Sequence, residues 1–125
     1  MTPYATKMMV AVLFLAPTPT LASLTVTPGL TVHNKCRHDV SVAVRYKDRG
    51  TWTTSPFTTI RAGQREERVV SSNNSVFYYY AEGGRVRWSG DHSVNVGSKI
   101  YPMKETRLTL DRQRNGYYLG LTCNS

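Results

Sequence analysis

Residues 75–92, SVFYYYAEGGRVRWSGDH, place tyrosine and arginine at every second position: Tyr78 and Tyr80 before a glycine pair, Arg85 and Arg87 after it. Flat rings stack on sugars or bases, and guanidinium forks pair with carboxylates or phosphates, so this combination suits an anionic ligand. A second group, Arg112, Arg114, Tyr117 and Tyr118, brackets Asn115-Gly116 near the C-terminus. The same residue types also serve sheets that bind nothing, through cross-strand Tyr–Arg and Glu–Arg pairs.

Other chemistries find less support. Asp91 and His92 are triad residue types, but they are adjacent. Neighbours on a strand point to opposite faces and cannot act as orienter and base. There is no G-x-S-x-G elbow. His33, His38 and His92 are scattered without ligand spacing, and the eight carboxylates sit mostly in turns or beside a basic residue. The chain therefore reads as a non-enzyme, with no metal and no cofactor.

Alternation sorts the tyrosine-rich stretch into two faces. With Gly83-Gly84 as a two-residue hairpin tip, Ala81 opposes Val86 and Tyr79 opposes Trp88. Phe77, Tyr79, Ala81, Val86 and Trp88 then form a core face. Tyr78, Tyr80, Glu82, Arg85 and Arg87 form a rung that looks outward, toward water or a partner.

The remaining chain reads as further short strands. Leu30, Val32 and Cys36 share a face. Val40, Val42, Val44 and Tyr46 alternate with polar residues, and Asp48-Arg49-Gly50 turns the chain. Strands follow at 51–54 and up to Ile60; residues 65–71 read as an edge strand, its charges discouraging pairing with another chain. Asn115-Gly116 predicts a hairpin in which residues 106–114 pair with 117–123, Leu110 opposing Leu121 and Arg114 opposing Tyr117. Tyr117 also falls in phase with Leu119 and Leu121. No stretch repeats its apolar residues at helical spacing. About nine short strands predict an all-β fold, a two-sheet antiparallel β-sandwich, with a small closed barrel as the alternative.

Residues 1–22 predict a secretory signal: one positive charge, the apolar run 8–16, and Thr20 and Ala22 before a cut at Ser23. The run is shorter than the ~20 residues that span a bilayer core. Residues 23–29 form a short lead-in and 30–125 a single domain. Without Lys7 the chain carries 15 basic and 8 acidic side chains, a balance of +7, and 11 of the 15 are arginine. In an exported protein the two cysteines, Cys36 and Cys123, predict one disulfide tying the first strand to the last.

Several short motifs add a resemblance. Asn34-x-Cys36, Tyr46-Lys47-Asp48, the run YYYAE at 78–82 and WSGD at 88–91 resemble a group of short bacterial secreted domains of unknown function. The likeness covers residues 30–91. The chain lacks the cysteine such domains carry soon after W-S-G-D, so Cys123 stands in as the partner of Cys36. The resemblance implies a bacterial, secreted or periplasmic β-domain and brings no activity with it. Composition and faces together lead to a binding module that uses basic-aromatic residues against an anionic polysaccharide, the cell envelope or an acidic protein. An inhibitor or immunity-type protein that blocks one secreted enzyme is the alternative.

Overall fold

The computed structural model describes residues 26–123; the expected signal peptide, 1–22, and the cut at Ser23 lie outside them. Ten strands follow in order: β1 (Gly29–Asn34), β2 (Val40–Asp48), β3 (Thr51–Thr54), β4 (Thr58–Ile60), β5 (Arg65–Ser71), β6 (Val76–Gly83), β7 (Val86–Trp88), β8 (His92–Val96), β9 (Lys99–Arg107) and β10 (Gly116–Leu121). The described residues contain no helix.

The strands form two sheets. A seven-stranded sheet runs β3-β2-β6-β9-β8, with β4 also on β2 and β7 also on β6. A three-stranded sheet runs β10-β1-β5. The inner faces meet in one apolar layer: Leu30 and Val32 from β1, Val42 and Val44 from β2, Phe77 and Tyr79 from β6, Leu119 and Leu121 from β10. Burying such side chains contributes about 1.5–3 kcal/mol each, so this layer holds the two sheets together.

One pairing departs from an antiparallel sandwich. β10 lies parallel to β1, with Tyr117 opposite Leu30 and Leu121 opposite Asn34. The hairpin expected around Asn115-Gly116 does not extend. Its turn closes at Asp111 and Gly116, whose backbones exchange hydrogen bonds of 2.9 and 3.2 Å. The residues before it belong elsewhere: β9 pairs with β6, Glu105 opposing Tyr78. Extended alternation across 99–107 is better satisfied between β6 and β8 than against β10, which finds its partner in β1.

The turn of the tyrosine hairpin also shifts by one residue. Gly83 opposes Val86 and Ala81 opposes Trp88, so Gly84-Arg85 is the tip. Gly83 is needed within the strand, because a Cβ there would run into the Asp39 carbonyl oxygen. Gly84 supplies the positive φ of the turn, +59°. The slip changes opposition by two positions, so each side chain keeps its face.

Asn34 accounts for the N-x-C motif. Its Nδ2 donates to the carbonyls of His38 and Ile60, each at 2.9 Å, and its Oδ1 accepts the Cys36 N–H at 2.9 Å. A fully buried amide is thereby satisfied while it shapes the turn that delivers Cys36 to the core. The disulfide joins Cys36 to Cys123, fastening the ends of the paired strands β1 and β10.

Candidate functional site

The outward rung of β6 is divided. Tyr80, expected at the surface, is only 5% exposed. Phe57, from the β3–β4 connection, and Tyr101, from β9, pack against its ring at centroid distances of 6.2 and 4.9 Å. With Ala43, Val94 and Met103 these rings make a second small core on the outer side of the seven-stranded sheet. The Tyr80 hydroxyl donates to Glu82 Oε1 at 2.7 Å. Burial, with the Glu82 carboxylate adding to it, pushes the Tyr80 pKa above the ordinary tyrosine value, partly offset by Arg87.

Tyr78 is half-buried and keeps an aromatic setting. Trp52 meets it edge-on at 5.5 Å, and the His92 ring stacks on it at 4.2 Å with 21° between planes. Arg85 is exposed at the hairpin tip, and Arg87, also exposed, opposes Glu82. They line a shallow depression of about 630 Å³ with Asp39, Ser41 and Glu82. Two carboxylates in that depression offset its two arginines.

Tyr117 borders the cleft beside Tyr118 but turns inward. It is 4% exposed and packs on Phe77 in the main core, at 5.1 Å between ring centroids. Its phase with Leu119 and Leu121 decides its direction. Burial raises its pKa, as it does for Tyr79. Arg112 and Arg114 are exposed on the turn after Asp111, where Arg114 Nε lies 3.8 Å from Asp111 Oδ2.

The neighbour of Tyr117 carries the most favourable surface. Tyr118 lies on the outer face of the three-stranded sheet and is 45% exposed. Its hydroxyl shares a 2.7 Å hydrogen bond with His33 Nδ1 on β1. Lys35 Nζ and the Arg65 guanidinium stand 5.8 and 5.9 Å from its ring centroid, within cation–π range. Gly120, two residues on, leaves room for this arrangement: a Cβ there would meet the Tyr118 ring at 3.3 Å and Lys35 Cε at 3.4 Å. Beside the ring runs a cleft of about 810 Å³, lined by Arg65, Glu67, Arg68, Asp111 and Arg114 among others. Arg68 is fixed there by donating to the Thr27 carbonyl at 2.9 Å and to Ser71 Oγ at 3.0 Å.

Of the sequence-predicted residues, then, Arg114, Tyr117 and Tyr118 line one cleft, and Tyr78 sits in a separate ring cluster. Arg85 and Arg87 lie at the far hairpin. His33, Lys35 and Arg65 were missed as site residues because the β10–β1–β5 pairing brings them, from two distant segments, to Tyr118 on a third. For His33 the sequence signal is the polar phase of β1, where Thr31 and His33 alternate with Leu30 and Val32.

Among the described residues, Cys36, His38 and Cys123 bring potential metal-ligating atoms within 4.8 Å of one another. Both sulfurs are bonded to each other, which leaves His38 Nε2 alone, 3.7 Å from Cys123 Sγ. No described helix is long and apolar enough to cross a membrane. Compared with known proteins, the chain matches no family model, and no curated protein or solved structure matches it significantly.

Proposed function

We propose that this chain is an exported binding module whose outer three-stranded face holds an acidic polysaccharide. The observation that carries the reading is the Tyr118 ring, nearly half exposed and flanked by Lys35 and Arg65. A pyranose ring offers an apolar face to stack on tyrosine, and its carboxylates or sulfates pair with the surrounding cations. Along the cleft Arg65, Arg68 and Arg114 outnumber Glu67 and Asp111 by one charge, and the net charge draws a polyanion toward it. Export is supported by the disulfide, a bond that persists in oxidising compartments, and by the leader-like residues 1–22.

The test is retention on immobilised heparin across a sodium chloride gradient. Retention that falls as salt rises and drops in Tyr118→Ala and Arg65→Ala supports the reading. Retention indifferent to salt or to both substitutions overturns it. So does capture of one protein in fixed stoichiometry with no affinity for the polymer, which is the behaviour of an inhibitor.

A further inference from the structure

A second ring cluster crosses the opposite side of the molecule. Trp52 on β3, Tyr78 on β6 and His92 on β8 come from strands spread across the whole seven-stranded sheet, from one end of its order to the other. Their side chains lean together into one row, 5.5 Å between the first two centroids and 4.2 Å between the last two. The apolar covering of this face is already done by Phe57 and Tyr101 over Tyr80. The row lies beside that small core, with Trp52 and Tyr78 half-exposed and His92 exposed.

The row has its own cations. Arg45 and Lys47 stand 5.9 and 5.8 Å from the Trp52 ring. Arg45 is held in place by donating to Thr54 Oγ1 at 3.0 Å. Glu105, opposite Tyr78, is paired with Arg107 at 3.7 Å. Rings with fixed positive groups are thus repeated here in a form like that around Tyr118.

The two ring sites face away from each other by construction. Phe77 and Tyr117 touch in the main core, at 5.1 Å. Tyr78 follows Phe77 on one strand and Tyr118 follows Tyr117 on another, and successive strand residues point to opposite sides. Tyr78 and Tyr118 therefore project outward from opposite sheets. With sheets about 10 Å apart, the two ligand surfaces are separated by roughly 20 Å once side chains are added.

We infer that the Trp52–Tyr78–His92 row is a second acidic-polysaccharide site, and that one copy of this domain bridges two polymer chains. The inference rests on the polysaccharide reading of the Tyr118 face. Charge complementarity selects the occupant: Arg45 and Lys47 beside the rings suit a sugar chain bearing carboxylates or sulfates.

The experiment uses heparin on beads and fluorescent heparin in solution, with the protein as the only link between them. Wild-type protein is expected to sediment as a monomer and to carry the fluorescent polymer onto the beads. Tyr118→Ala and, separately, His92→Ala/Lys47→Ala are each expected to weaken direct binding about tenfold, as losing one stacked ring does elsewhere, and to cut bridging to background. Trp52→Ala repeats the second arm, and its thermal melt reports whether it folds. If His92→Ala/Lys47→Ala and a folded Trp52→Ala both bridge like wild type, the second site is overturned while the Tyr118 reading stands. Bridging that requires a protein dimer also overturns it. If wild-type protein binds no heparin at all, or binds DNA in its place, the underlying reading fails instead.

Discussion

Tyr118 on β10 and His33 on β1 are locked to each other by a 2.7 Å hydrogen bond between the hydroxyl and Nδ1, across strands that run parallel. Two partly exposed side chains are thereby held in one geometry before any ligand arrives. Preorganisation of this kind reduces the entropy lost on binding.

His33→Ala and Tyr118→Phe each remove that bond and leave the ring in place. Without the bond the ring must be ordered on binding, at a cost of about 1 kcal/mol for one side chain, so heparin affinity should fall roughly fivefold in either variant. Stability should fall by no more than the net worth of one hydrogen bond, about 1 kcal/mol. Isothermal titration beside urea denaturation separates the two effects. A stability loss with unchanged affinity would mean that the bond serves the sheet alone.

Gly120→Ala tests the same arrangement from beneath. The added methyl would press on the Tyr118 ring at 3.3 Å and on Lys35 Cε at 3.4 Å. Both are ends of movable side chains, and alanine loses less backbone entropy than glycine in a strand. The urea midpoint should therefore hold or rise slightly, while heparin elutes at lower salt. Unchanged elution would show that the ring's resting position does not matter to binding.

The inner faces were legible because alternation does not depend on exact pairing. Phe77, Tyr79 and Ala81 are buried as expected even though the hairpin tip moved from Gly83-Gly84 to Gly84-Arg85. The cysteine pair was legible from count and phase. The partner of β10 was not. A local Asn-Gly signal favoured a hairpin, whereas the actual pairing joins Tyr117 to Leu30, nearly the whole chain away. That one pairing hid His33 and Arg65 from view beside Tyr118. The burial of Tyr80 was equally hidden, since its cover comes from Phe57, a residue after a proline in a segment with no fixed direction in the sequence.

The disulfide should matter more to stability than any single surface bond. It closes a loop between residues 87 apart in sequence, for which the chain-entropy model gives about 4–5 kcal/mol and measured losses run about 2–5 kcal/mol. Cys36→Ala/Cys123→Ser should lower the urea midpoint by a corresponding amount and make it indifferent to reductant. The wild-type midpoint should fall to about the same value under dithiothreitol. A double variant as stable as oxidised wild type would mean that the β1–β10 ladder holds those ends without help.

Alkaline pH should unfold the protein through its buried tyrosines. Burial raises the pKa of Tyr79, Tyr80 and Tyr117 in the folded chain above the ordinary value near 10. Below pH 10 both folded and unfolded chains hold these protons, and the contribution of each group is fully present. Above pH 10 the unfolded chain gives up its phenolic protons while the folded chain keeps them, so the unfolded state binds fewer protons and stability falls as pH rises. The slope reaches at most about −1.4 kcal/mol per pH unit for each tyrosine and levels off once the folded pKa is passed. Urea midpoints between pH 8 and pH 11.5 should show this decline. Tyr79→Phe and Tyr117→Phe each remove one proton from the difference and should flatten it stepwise. Tyr80→Phe should flatten it too, but from a lower starting stability because the bond to Glu82 is lost. A decline that is equally steep in all three variants would place the alkaline transition elsewhere in the molecule.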